Sequence, residues 1–464
     1  MKTRFAPSPT GHIHMGNART ALFSALLSAG HQGTFLLRIE DTDVARSKKE
    51  FEEGLQQDLH WLDIDWQEGA AVGGPHAPYH QSERTAVYEH YYDELIKLER
   101  AYACFCSESQ LAVTRKVQLA AGQAPRYPGT CRHLSELERQ EKRAQGIRPV
   151  LRFMVPKGAS VSFEDGVKGL QKFAADDIGD FIIRRADGGA SFMFCNAIDD
   201  ALMGVTDVMR GEDHLTNTPR QLMILEALGL PKPNYAHISM ILGSDGAPLS
   251  KRNGSRNIRQ LREEGYLAKA VLNYMARLGH YYESNVFMSF AELAAHFEWS
   301  KLGKAAARYD ESQLLYWQKT AVLALDEAAL WQWFGSEVHA LVPAAKKSAF
   351  IAVVRDNVVF PEDALTWAKL AFTDDLTLDA EAQKLLDETP QALFIAAAAA
   401  TKASGADFKA ISEQVAATCK VKGKQLFQPL RVALTGQLHG PQMAPIVELF
   451  GAERCLQRFI KLQS

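Results

Sequence analysis

Apolar and polar positions follow two rhythms along this chain. Residues 3–6 and 35–39 are short, mostly apolar runs that predict buried strands. Between them Ala18, Ala21, Leu22, Ala25, Leu26 and Ala29 recur at three- and four-residue spacing, predicting a helix from Asn17 onward. The second run then becomes a parallel strand beside the first. Residues 48–62 predict a charged amphipathic helix, and the Gly, Ala and Pro of 69–78 a linker leaving the first sheet. Two apolar runs, 181–185 and 191–194, flank Asp187-Gly188-Gly189 and predict a hairpin. Residues 205–209 predict a parallel strand returning to the first sheet, and 237–242 a further strand turned by 243–248. From about residue 320 onward the period is helical throughout, including an Ala-rich stretch at 392–400 and a basic run at 420–424.

The turn between the first strand and the first helix carries the first candidate chemistry. Pro7, Pro9 and Gly11 break any regular ladder, so backbone N–H groups and a positive helix end face one point, as a phosphate requires. His14 adds an imidazole donor and Gly16 a place where backbone approaches a ligand closely. The second strand ends in Glu40-Asp41-Thr42-Asp43, where a helix cap and a ligand site are compatible: Asp43 caps while Glu40 turns toward a substrate ammonium. Arg210, Glu212, Asp213 and His214 follow the returning strand and are expected on the same rim as His14 and Glu40. The stretch 248–254 is a loop with adjacent cations, Lys251 and Arg252, suited to charge that develops on a transferring phosphoryl group. It lacks the Walker pattern, so P-loop chemistry is not expected. Arg256, Arg259 and Arg262 continue its basic character and offer contacts to a phosphate backbone.

Cys104 and Cys106, then Cys131 and His133, form two ligand pairs each separated by one residue. Three thiolates and an imidazole suit a closed structural zinc site; buried cysteines serving as small hydrophobes are the competing interpretation. The loop 122–129 lets the pairs meet.

Composition narrows the class. Apolar and charged fractions of 47% and 23% are those of a soluble globular chain, and 464 residues imply two to four domains. Six cysteines in such a length do not make a disulfide framework, and no signal peptide or bilayer-spanning run is present, so a reducing cytoplasm is expected. A net charge of −3 restricts any nucleic-acid surface to a local patch.

Five ordered segments carry a family resemblance along essentially the whole chain. Arg4-Phe-Ala-Pro-Ser-Pro-Thr-Gly with His14-Met-Gly-Asn17 resembles the His-Ile-Gly-His motif of class I aminoacyl-tRNA synthetases. Pro248-Leu-Ser-Lys251-Arg252 resembles their Lys-Met-Ser-Lys-Ser loop. The stretches 38–43, 202–214 and 428–436 are also similar to those of bacterial glutamyl-tRNA synthetases.

That resemblance implies an α/β Rossmann-like catalytic core, interrupted by an acceptor-stem-binding insertion and followed by an all-α anticodon-binding domain. The expected divisions are 1–80 and 191–242 for the core, 81–190 for the insertion, 243–322 for a stem-contact domain and 323–464 for the helical domain. It implies activation of glutamate by ATP with Mg²⁺, typically on bound tRNA(Glu), then transfer to the terminal adenosine. His14, Gly16, Lys251 and Arg252 are then the catalytic group. ATP would lie against His14, Gly16, Asn17, Asp213, Ile241 and Lys251. Glutamate would lie among Arg4, Ala6, Ser8, Glu40, Phe192, Asn196 and Arg210. Arg4 and Arg210 would read its side-chain carboxylate, and a neutral glutamine would leave a buried guanidinium without a counter-charge. The resemblance also makes Cys104, Cys106, Cys131 and His133 the ligands of a structural Zn²⁺ in the insertion. Nothing calls for more than a monomer. Three positions depart from the pattern: Pro248 replaces the loop's first lysine, Phe192 a frequent tyrosine, and Asn17 the second histidine. A small-molecule nucleotidylyltransferase would not need the helical half, a silent tRNA-binding paralogue should lose His14 or Lys251, and a glutaminyl enzyme is disfavoured by Arg210.

Overall fold

The computed structural model describes every residue except 44, 250–255, 375 and 464. The chain divides into two compact units, Met1–Glu263 with Val271–Gln313, and Glu264–Ala270 with Leu314–Ser464.

The first unit is built on β1 (Lys2–Phe5), whose last three residues are buried. Helix α1 (Met15–Gly30) follows and buries Ala18, Ala21, Leu22, Ala25 and Leu26, the stripe that its sequence period predicts. The chain then returns as β2 (Thr34–Leu37), parallel to β1 with Phe5 opposite Leu37. The helix Lys49–Trp61 comes next, and then β3 (Glu68–Gly69) pairs with β2. Residues 68–69 therefore belong to the sheet, although they open or border the stretch whose composition predicts a linker. Gly69 explains this: its φ of +130° and its closeness to the Leu37 backbone leave no room for a Cβ.

An inserted antiparallel sheet is formed by β4 (Ala101–Cys104) and β5 (Val150–Phe153). Next, β6 (Ser160–Asp165) and β7 (Gly169–Ala174) form a hairpin, and β8 (Phe181–Arg184) completes the inserted sheet beside β5. The β6–β7 hairpin lies inside the stretch expected to be insertion, yet it joins the main sheet through β6. The predicted hairpin around Asp187-Gly188-Gly189 has only its first arm: Arg184 bridges Ala190, and then the chain turns into α2 (Phe192–Leu202). Phe194, Ala197, Ile198 and Ala201 are buried at helical spacing there, so burial on one helical face prevails over the turn signal.

After α2 comes β9 (Asp207–Gly211), then α3 (Thr218–Ala227) and β10 (Asn234–Ile238). Ser239 and Met240 interrupt the predicted strand 237–242, and β11 (Ile241–Leu242) pairs instead with β12 (Ala307–Arg308). The main sheet runs β3-β2-β1-β9-β10-β6-β7, parallel except for its β6–β7 edge. Because β1 sends its helix toward β2 on one side and has β9 on the other, strand order reverses at its carboxyl end, where open α/β sheets bind ligands.

The second unit is helical throughout its described residues. Phe334, Phe350, Leu365, Phe394, Leu430 and Phe459 meet in its core. Arg458, buried in this apolar setting, donates to the carbonyls of Leu370 and Leu434, at 2.6 and 2.5 Å. The parallel core, its insertion and the all-helical second unit are the architecture expected from the sequence.

Candidate active site

A cleft of about 560 Å³ opens at the carboxyl ends of β1, β9 and β10. Arg4, Ala6, Ser8, Glu40, Phe192, Asn196 and Arg210 line one part of it, and His14, Gly16, Asn17, Asp213 and Ile241 the other. The structure thus brings together every described residue that the sequence nominated for the glutamate and ATP sites. Lys251 and Arg252 lie outside the described residues, although Pro248 and Leu249, which lead to them, border the cleft.

The turn after β1 is pinned to the body of the unit. Pro7 O accepts from Glu40 N at 2.9 Å, and Pro9 O from Lys48 N at 3.0 Å. His14 is extended, caps α1, and accepts from Gly16 N through Nδ1 at 3.2 Å. Accepting at Nδ1 puts the neutral ring's proton on Nε2, and burial lowers the ring's pKa, so it stays neutral. At Gly16 an added Cβ would sit 3.1 Å from the imidazole, so the small residue lets the ring lie across the helix end.

At the other end charges are buried and cross-tied. Arg4 Nε meets both oxygens of Asp200, at 3.2 and 3.3 Å. Arg38 Nη2 reaches Asp200 Oδ1 at 2.7 Å and donates to Asn196 Oδ1 at 3.0 Å. Burial works against the Arg38 charge, but Asp200, Asp199 and Glu40 outweigh it and hold its pKa above the ordinary value. Asp199 in turn accepts from Arg84 at 2.7 Å, Tyr88 at 2.7 Å and Gln81 at 2.9 Å. Glu40 is pushed up to about 7 by burial, against the pull of Arg38 and Arg4. Arg210 is lowered to about 10, burial being the main cause. Arg38, Asp199 and Asp200 were absent from the sequence-based site. Two acids at adjacent positions of an apolar helix were the available signal, since buried carboxylates need partners.

The loop 239–241 is shaped by two charged residues. Arg19, buried, donates to Leu278 O at 2.8 Å and to Ser239 O. Glu212 accepts from Met240 N at 2.9 Å and pairs with Lys168. The phenyl ring of Phe192 lies 5.0 Å from the imidazole of His214, whose pKa is lowered to about 4, chiefly by burial. The arginines expected to face a phosphate backbone are paired within the first unit: Arg256 with Tyr309 and Glu311, Arg259 with Glu263 at 2.8 Å, and Arg262 with Asp58 at 3.7 Å.

In the insertion, the sulfurs of Cys104, Cys106 and Cys131 lie within 4.8 Å of one another, a separation a metal can bridge. His133, the expected fourth ligand, is exposed and outside this group. Tyr127 Oη lies against the thiols, 3.3 Å from Cys104 and 3.6 Å from Cys106. Burial pushes the Cys104 thiol up, but hydrogen bonds from Tyr127 and Arg152 overcome this and leave it below its ordinary value. The Cys/His spacing pointed to His133, whereas the side chain that meets the thiols in this structure is Tyr127.

A family profile described as "tRNA synthetases class I (E and Q), catalytic domain" matches residues 1–316, and one described as "Anticodon binding domain" matches 322–462. The chain is 52% identical over 458 residues to a Coxiella burnetii protein named glutamate–tRNA ligase 2, spanning 99% of this chain and 98% of that one. A glutamate–tRNA ligase 2 of Nitrosococcus oceani is 53% identical, over 99% of this chain and 97% of its own. A crystal structure titled as a glutamate tRNA ligase from Elizabethkingia meningosepticum in complex with its amino acid matches with a TM-score of 0.89 and 28% identity, covering 100% of this chain and 99% of that one.

Proposed function

The chain belongs to the class I tRNA synthetases of the glutamate and glutamine group, and we propose that it is a glutamate–tRNA ligase. It joins L-glutamate to the terminal adenosine of tRNA(Glu), consuming ATP and releasing AMP and pyrophosphate. The observation that carries the choice of glutamate is a pocket flanked by two buried guanidinium groups, Arg4 and Arg210, of which only Arg4 has a carboxylate partner in direct contact. The side-chain carboxylate of glutamate supplies the missing charge. A carboxamide cannot, and a buried charge without its partner is costly.

The chemistry needs no side-chain base, because the attacking α-carboxylate is already ionised. Its oxygen forms a bond to the α-phosphorus of ATP, which enters as the magnesium complex, and the bond to the bridging oxygen breaks as pyrophosphate leaves. Positioning and charge stabilisation are what the protein contributes. Glu40, ionised, takes the α-ammonium. His14 Nε2–H and the N-terminus of α1 hold the phosphates, with Gly16 and Asn17 beside them, while Asp213 and the backbone at Ile241 hold the adenosine. Lys251 and Arg252 meet the charge that develops on pyrophosphate. In the second step the adenosine hydroxyl attacks the glutamyl carbonyl and AMP departs.

The three thiols suit Zn²⁺, with Tyr127 as the fourth donor. Four protein ligands leave no open position, so the ion holds the insertion together and takes no part in the reaction. Metal analysis is expected to find about one zinc per chain. No described helix is long and apolar enough to cross a membrane. All six cysteines are free, which supports a cytoplasmic location.

Pyrophosphate exchange tests the assignment: it is expected with glutamate and tRNA together and to be weak without tRNA. Equal exchange with glutamine would overturn it.

A further inference from the structure

Behind Arg210 stand residues that the reaction as described does not use. Arg210 on β9 stands opposite His237 on β10 in the parallel register. Its Nε donates to His237 Nε2 at 3.1 Å and its Nη2 to Thr218 Oγ1 at 2.8 Å, while Nη1 is buried without a hydrogen-bond partner. Both ties are to neutral acceptors, so they fix the guanidinium without cancelling its charge. Arg4 differs, because Asp200 balances it directly.

The imidazole can accept from Arg210 only in one protonation state. An arginine N–H is always a donor, so His237 Nε2 must present its lone pair. The proton then sits on Nδ1, 2.5 Å from Asp165 Oδ2. Asp165 is itself immobilised: its Oδ1 accepts from the backbone N–H groups of Val167 at 3.0 Å, Lys168 at 2.8 Å and His237 at 3.2 Å. His237 is completely buried, and the charged or titratable groups around it are Asp165, Arg210, Arg4, His214 and Tyr235, whose ring stacks against it. Burial lowers its pKa and the two arginines add to this, against Asp165, which keeps the ring neutral.

We propose that Asp165, His237 and Thr218 are positioning residues for amino-acid selection: the carboxylate fixes the histidine tautomer, and the histidine and threonine aim Arg210 at the substrate's side-chain carboxylate, leaving Nη1 without a partner inside the protein. This rests on the reading that Arg210 recognises that carboxylate. The relay keeps Arg210 charged and uncompensated while denying it the freedom to swing toward another acceptor. Discrimination against glutamine then depends on a residue on β6 that touches neither substrate nor the arginine itself.

The sharpest test is Asp165→Asn. The three backbone N–H groups retain the side-chain oxygen on their side, so the amide nitrogen faces the ring and donates to Nδ1. The ring proton moves to Nε2, where it opposes the Arg210 N–H. Pyrophosphate exchange with the full chain and tRNA is expected to show KM for glutamate raised about tenfold or more, and the glutamate-to-glutamine preference lowered by a similar factor, with KM for ATP unchanged. Thr218→Val should shift the same two quantities in the same direction by a smaller factor, and Thr218→Ser, which keeps the hydroxyl, should restore both. A merely structural role would not separate glutamate from ATP, and thermal unfolding of each variant identifies any that misfold. Arg210→Ala separates the two readings. If it loses glutamate while Asp165→Asn and Thr218→Val keep wild-type KM and preference, the relay is wrong and the pocket assignment stands. If Arg210→Ala binds glutamate normally, the pocket assignment itself is wrong.

Discussion

The two ends of the cleft solve opposite problems. At the end proposed for the amino acid Arg4, Glu40, Asn196 and Arg210 are all buried, and their contacts link β1, β9, β10, α2 and α3. At the end proposed for the nucleotide Asn17 and Asp213 are exposed. Selecting between glutamate and glutamine needs charges taken out of water, where a mismatch costs most. A triphosphate carries its own charge and its product must leave every cycle, so binding it too tightly before reaction gains nothing. Burial serves choice, and openness serves turnover.

Removing Asp200 breaks the buried end most severely. Asp200→Ala strands the charges of Arg4 and Arg38 together, and denaturant unfolding is expected to show a loss of about 3–5 kcal/mol, with glutamate binding abolished. A small loss would mean that the network does not hold the pocket. Lys251→Ala probes the open end. Aminoacylation is expected to fall by about 10²–10³, with unfolding and KM for glutamate unchanged; near-normal turnover would remove this lysine from the mechanism.

Glu40 sharpens the contrast through pH. Its carboxyl, raised to about 7, must be ionised to hold an ammonium, so KM for glutamate should climb about tenfold per pH unit below that value and be flat above it. The folded pKa lies above the unfolded one, so ionised Glu40 costs stability that sets in above the unfolded pKa and levels off above about 7. Glu40→Gln should therefore raise the unfolding free energy near about pH 8, by on the order of 3 kcal/mol, and leave it unchanged near about pH 4. The smallest effect belongs to the helix cap. His14→Ala should cost about 1 kcal/mol, whereas His14→Asn keeps a capping oxygen and should cost little, although both lose the imidazole in exchange assays.

The open end was the more legible in sequence. Prolines, glycines and histidines of 7–16 are local signals, and a turn at the head of a helix is a local structure. The parallel strands β1, β2 and β9 were also legible as short apolar runs. The buried end is non-local: Arg210 and His237 are brought opposite each other by sheet register, which no run of adjacent residues encodes. The hairpin β6–β7 alternates exposed and half-buried positions, and it went unnoticed because its apolar content is low. Residues 192–202 show the reverse failure, where a correct turn signal was extended into a strand that helical packing does not permit.

The placement of β1 between β2 and β9 has a consequence for synthesis. During synthesis β1 waits for some two hundred later residues before its second neighbour exists, so the strands of the inserted sheet are all made while the central sheet still lacks β9. A chain truncated before Asp207 would have no seat for the amino acid, whatever part of it folds.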